Sequence, residues 1–169
     1  AMTGAPVYAW EPEKGVHIGI MPRNGTVDDL RWFQGDPSFV FHPMNAQTNG
    51  DIVTCDVCEF EEAPLFPTPD GTPGDPSKAI PRLTRWTFDM GQNTNDYKWE
   101  RLDDLACEFP RLDERFAGAN YRYGYFAADM KPQFKVGGFN AIGRRDHHTG
   151  KIELHDVGEA CATNEPVFV

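Results

Sequence analysis

The sequence predicts an all-β chain, and three observations carry that expectation. Short apolar, β-branched and aromatic runs recur with turn signals about every 8–12 residues. No stretch keeps apolar residues at a helical period. Sixteen Gly, fourteen Pro and a 12% aromatic content favour short strands and turns over long helices. Composition alone leaves sandwich, barrel and propeller open.

The elements follow in order. Tyr8-Ala-Trp10 opens the chain, and Pro12 to Gly15 make a turn. Val16 to Met21 alternates weakly and reads as a strand, closed by Pro22-Arg-Asn-Gly25. Arg31-Trp-Phe33 is a short strand before Gly35-Asp-Pro37. Phe39 to Val57 reads as a β-hairpin, because Asn49-Gly50 accepts the positive φ angles that tight hairpin turns need. From Glu59 to Ala79 the chain is rich in Pro and Gly and reads as one irregular loop, the kind that often serves a site. Leu83 to Phe88 alternates cleanly and is answered by Tyr97 to Leu102 across a Gly91–Asn95 turn. Ala106 to Phe109 and Tyr121 to Phe126 are further strands. Phe139 to Arg144 and Lys151 to His155 form another hairpin, and Pro166 to Val169 is the last strand. These strands form one unit over residues 1–169, since the chain is long enough for one core.

Composition narrows the function. The net charge of −10 argues against a nucleic-acid partner, which clustered Lys and Arg would have to hold. No apolar run approaches the roughly 20 residues that span a bilayer. No basic-then-apolar leader is visible, so a cytoplasmic location is expected. Ala1 before Met2 reads as a tag remnant or as an artificial boundary of the chain. The four cysteines are Cys55, Cys58, Cys107 and Cys161. Cys55-x-x-Cys58 has no second closely spaced pair and reads as reduced, half-buried thiols rather than half of a zinc site.

The chemistry concentrates at Phe39-Val-Phe-His-Pro-Met-Asn-Ala46. A packed aromatic strand ends abruptly in a histidine, and a rigid strand end holds a metal ligand without loop slack. Phe41-His-Pro-Met-Asn-Ala46 resembles the Phe-His-x-x-Asn-Ala motif of the carotenoid cleavage oxygenases, in particular the bacterial lignostilbene-dioxygenase branch. Cys107-Glu-Phe-Pro-Arg111 resembles that family's Glu-Phe-Pro motif. Asn164-Glu-Pro-Val-Phe-Val169 resembles its Glu-Pro-Val/Ile-Phe-Val motif. The three motifs come in the family's order.

The resemblance implies a seven-bladed β-propeller with iron on its axis, of which this chain would supply about two to three blades. It implies four histidines on a non-haem Fe(II), three of them backed by glutamates. His42 matches one ligand; Glu108 and Glu165 match two of the backing carboxylates. A carboxylate that accepts the distal N–H fixes the tautomer and raises the ligand's basicity. The other ligands would lie before Ala1 and after Val169. Iron is therefore expected in the full-length parent and not in this chain alone, which should bind the missing part of the propeller or self-associate. The implied reaction cleaves the central C=C bond of a stilbenoid with O2 to give two aldehydes. An apocarotenoid substrate, or a non-catalytic β-module, is the alternative. Phe41, Phe66 and Phe109 are the residues expected to contact the aromatic alkene or polyene. His147 and His148, in a polar turn, are expected to be solvated. His17 and His155 match no ligand, and Arg111 and Arg122 are expected in structural ion pairs.

Overall fold

The computed structural model describes residues 6–130, 138–158 and 160–169, so Ala1 and Met2 lie outside the described residues. Strands β1 (Val16–Ile20) and β2 (Arg31–Gly35) pair antiparallel as a small separate sheet. The remaining strands are β3 (Phe39–Asn49), β4 (Ile52–Phe60), β5 (Arg82–Asp89), β6 (Lys98–Leu112), β7 (Tyr123–Asp129), β8 (Ala141–Asp146) and β9 (Ile152–Asp156). They form one seven-stranded antiparallel sheet in the order of the sequence. Sequential strands pairing side by side is the shortest way to connect a sheet. No α-helix occurs among the described residues; the helical elements are single 3-10 turns.

The β3–β4 hairpin closes through Gly50 and Asp51, because Asn49 is already paired with Ile52. Gly50 takes φ +58°, which only glycine adopts cheaply. Two packed clusters hold the fold. Phe33, Val57, Trp86 and Phe88 form one, with Ile18 and Ile20 of the small sheet laid against it. Phe33 and Phe88 meet edge to face at 4.9 Å, a preferred aromatic geometry. Cys58, Leu83, Cys107, Tyr121 and Phe126 belong to the other.

Four expectations are corrected. Tyr97–Leu102 and Ala106–Phe109 are not separate strands: Lys98–Leu102 and Ala106–Phe109 both belong to β6, and Tyr97 precedes it. Thr84 pairs with Arg101 and Arg82 with Ala106, so the stretch between them bulges out while the strand runs on. Asp103 accepts the Leu105 N–H at 2.9 Å and stabilises that bulge. Pro166–Val169 is not a strand, because no neighbouring strand offers it a ladder of hydrogen bonds. Tyr121 precedes β7, and Phe126 rather than the alternating tyrosines is the fully buried aromatic of that strand. The Pro/Gly-rich segment is irregular between β4 and β5, but Glu59 and Phe60, expected in it, are the buried end of β4, paired with Val40 and Phe39.

Candidate metal and substrate site

Two proline-marked bulges shape the site. In β3, the pairing shifts on both sides of Pro43, between Val40 and Asn45. In β6, it shifts between Glu108 and Arg111, across Phe109 and Pro110. Proline lacks the N–H a central ladder needs, so it settles at bulges, and bulges re-aim neighbouring side chains. Phe109 pays for this with φ +54°, a left-handed conformation that is uncommon for a bulky residue. The result turns His42 and Glu108 toward each other from strands that are not neighbours. Their side chains meet at 2.7 Å, His42 Nδ1 to Glu108 Oε2.

Glu108 is 5% exposed and His42 45%. Burial pushes the Glu108 carboxyl up, while the Phe109 N–H and His42 pull it back. An ionised carboxylate only accepts, so with Glu108 ionised the donor of the pair is His42 Nδ1. The other carboxylate oxygen, Oε1, is buried without a hydrogen-bond partner. Asn45 of the same motif has a different job. It accepts the Gly118 N–H at 2.9 Å and donates to the Ala119 carbonyl at 3.1 Å, tying β3 to the turn before β7.

Beside the pair lies a cavity of about 480 Å³. Phe41, His42, Glu108 and Phe109 line it, together with Leu65 and Ile80 of the irregular segment. Phe66 does not line it. It packs behind Phe41, with ring centroids 6.4 Å apart, and against Phe39 at 5.6 Å. Phe139, Phe60 and Asp129, which sequence reasoning did not single out, do line it. Their distance along the chain left no local signal.

Glu165 stands apart from the pair's hydrogen bonds. It is 47% exposed and accepts from Arg111 at 3.2 Å, and among the described residues no histidine is bonded to it. Arg111 and Arg122 make the ion pairs expected of them, the latter with Asp146 at 2.8 Å. His17 and His155 are exposed in their strands. His148 is exposed, but His147 is not solvated: its side chain is 4% exposed. The Tyr121 ring packs against it, tilted by 51° with centroids 4.5 Å apart, and Arg85 donates to its Nδ1 at 3.3 Å. All four cysteines are free. Burial pushes the Cys55 thiol up to about 12, the opposite of what a metal-binding thiolate needs.

Among the described residues no group of three His, Cys, Asp or Glu side chains converges. The donor set fits ferrous iron in one respect: a neutral imidazole with a free Nε2 and a carboxylate behind it is a complete single ligand.

The family model described as retinal pigment epithelial membrane protein matches residues 1–169. The chain belongs to this family. It is 38% identical to isoeugenol monooxygenase of Pseudomonas putida, covering 97% of this chain and 36% of that protein. It is 37% identical to lignostilbene-alpha,beta-dioxygenase isozyme III of Sphingomonas paucimobilis, over 98% of this chain and 37% of that one. A crystal structure of lignostilbene dioxygenase from Pseudomonas brassicacearum superposes with a TM-score of 0.89 at 29% identity, over 99% of this chain and 37% of that one. The chain thus spans about a third of the length of the curated relatives it matches.

Proposed function

We propose that this chain forms one ligand and one substrate wall of an Fe(II) oxygenase that cleaves the C=C bond of aryl alkenes, lignostilbenes among them, to give two aldehydes. The observation that carries it is His42, backed by buried Glu108, on the wall of an aromatic cavity. When bound, ferrous iron supplies the O2 chemistry. The chain's own part is positional. Glu108 holds the His42 proton at Nδ1 and so keeps Nε2 available. Phe41 and Phe109 offer flat apolar faces against which an aryl ring can lie, and the apolar lining excludes water. Glu165 is proposed to back a second ligand, from another part of the protein, since Arg111 holds it near Glu108 without a histidine of its own. Phe66 contributes by bracing Phe41.

The proposal extends to the fold: residues 1–169 act as a single unit that supplies about two to three blades of a seven-bladed propeller. Consecutive antiparallel strands support this, because a blade is such a meander. Strands β3 and β9 are the outer strands of the sheet. Their free edges support pairing with further strands of the protein or with a second copy. Free cysteines support a reducing, cytoplasmic location.

The test uses the full-length protein that carries this sequence. Metal analysis should find stoichiometric iron, and oxygen uptake should respond to a hydroxystilbene more than to a polyene aldehyde. His42→Ala should lose both iron and oxygen uptake, whereas His148→Ala should keep both. Iron retained by the His42→Ala protein would end the proposal.

A further inference from the structure

The cavity has a loop wall, and one side chain ties it together. The irregular segment sends two limbs to the cavity: residues 63–65 on the way out from β4, and residues 74–76 on the way back to β5. Each limb is built separately. The first stands on buried Phe60 and Ala63. The second is a turn in which the Asp75 carboxylate accepts the Ser77 N–H at 2.9 Å and the Ser77 hydroxyl at 2.7 Å. At the tip between them, Asp70 accepts from the Thr68 hydroxyl at 2.6 Å and the Thr72 N–H at 3.0 Å. Glu62 joins the limbs. Its Oε1 accepts the Asp75 N–H at 3.1 Å, and among the described residues no other hydrogen bond crosses from residues 61–67 to residues 73–81. Gly74 shows how close the contact is. A Cβ there would lie 2.5 Å from Glu62 Oε1 and 3.3 Å from its Cδ. Gly74 has no positive φ to satisfy, so it is this approach that calls for glycine.

We infer that Glu62 is a positioning residue: seated against Gly74, it fixes the loop wall of the cavity before an aryl ring arrives, and so sets how tightly the ring is held. The inference rests on the oxygenase reading for what the ligand is, and on the latch for how the wall is held. Glu62 does not itself line the cavity; it acts through residues 74–76, which line it together with Phe41 and Phe109. A wall already in place offers its contacts at once, whereas a loose wall must lose conformational freedom when the ring binds. Without the Glu62 carboxylate, binding therefore bears the ordering of one limb. Glu62 shares no hydrogen bond with His42 or Glu108, so the chemical step keeps its rate while affinity falls.

The test uses the full-length protein, with a hydroxystilbene as the probe. Glu62→Ala should raise the dissociation constant, read by calorimetry, and the KM, read by oxygen uptake, by about 3–10-fold with kcat unchanged, the scale of one hydrogen bond. Glu62→Gln keeps an acceptor in place and should stay within about twofold of the wild type. Gly74→Ala puts a methyl where Oε1 sits, so it should match Glu62→Ala. In the double variant the effects should not add, because both changes break one contact. Hydrogen exchange of the ligand-free proteins reads the latch directly: residues 73–79 should exchange faster in Glu62→Ala and Gly74→Ala than in the wild type or Glu62→Gln. Equal exchange in Glu62→Ala, an unmoved dissociation constant, additive effects in the double variant, iron lost along with affinity, or no binding of the probe to the wild type would each overturn the inference. The reading beneath it fails differently. Weaker binding by Glu62→Ala with no oxygen uptake by any of the proteins leaves the inference standing and sinks cleavage. Oxygen uptake with one KM across the whole set does the reverse.

Discussion

The sheet holds two histidines beside carboxylates, and they have opposite fates. His42 meets Glu108 at 2.7 Å, is 45% exposed and lines a cavity. His147 lies 3.7 Å from Asp56, yet its side chain is 4% exposed and its Nε2 is buried without a partner. Asp56 is already committed: Arg85 binds it at 2.7 and 2.8 Å through two nitrogens, and the Tyr121 hydroxyl donates to it. Arg85 then turns the same Nη2 toward His147 Nδ1. A nearby carboxylate therefore does not make a histidine a ligand. What matters is whether the carboxylate holds Nδ1 by a hydrogen bond, as Glu108 does at 2.7 Å and Asp56 at 3.7 Å does not, and whether the ring itself reaches open space. One site is arranged to receive a group; the other is closed on itself and holds strands β4, β5 and the β8 turn together.

If that contrast is right, cutting the closed network should cost the most. Arg85→Ala leaves the Asp56 carboxylate buried beside Tyr121 without its cation. Breaking a buried ion pair from one side costs about 3–5 kcal/mol. Urea unfolding should register that loss, while iron content per folded molecule stays at the wild-type level. Loss of iron without loss of stability would erase the distinction between the two regions.

Acidity attacks the same network more gently. Burial is the largest cause that pushes the His147 imidazole down, to about 4 from its ordinary 6.5, with Asp56 opposing and Arg85 and Arg145 adding to the fall. The folded value is the lower one, so the unfolded chain takes up the proton first. The stability tied to neutral His147 is complete above about pH 6.5, is lost as the pH falls toward 4, and changes no further below that. The whole span is of order 3 kcal/mol. Denaturation curves between pH 6.5 and 5, above most carboxylate titrations, should show the slope in the wild type. His147→Gln should flatten it, and an unchanged slope would mean that another group titrates there.

Much of this was legible in the sequence, and what was not has a common cause. Asn49-Gly50 marks its hairpin because the turn chemistry is local. His42 and Glu108 sit in motifs whose prolines mark bulges, so the stretches that meet could be named even though the bulge geometry could not. His147 was misread because Asp146, His148 and Gly150 around it are turn residues, while the groups that bury it, Tyr121 and Arg85, come from other strands. Phe66 was placed at the substrate by the company of prolines; its ring contacts with Tyr8, Phe39 and Phe41 are all tertiary. The break expected within β6 failed because an acidic pair looks the same in a turn and in a bulge.

The smallest expected effect is the sharpest probe of the open site. Glu108→Gln keeps size and shape but removes the charge behind His42. The amide oxygen can still accept the Nδ1 proton, so the ring should hold its orientation and the fold should be little disturbed. The amide nitrogen then takes the place of Oε1, which is buried and has no partner, so one donor goes unmet. A neutral acceptor also gives His42 less basicity than a carboxylate does, and loss of such a backing group weakens metal binding by about 10–100-fold. In the full-length protein, the variant should fill with iron when iron is abundant and release it to a chelator at concentrations the wild type withstands. The same substitution tried on the closed network, Asp56→Asn, should leave chelator resistance alone and lower stability instead. If Glu108→Gln resists chelation as well as the wild type does, then Glu108 merely fills space beside His42, and the two histidines differ in exposure but not in purpose.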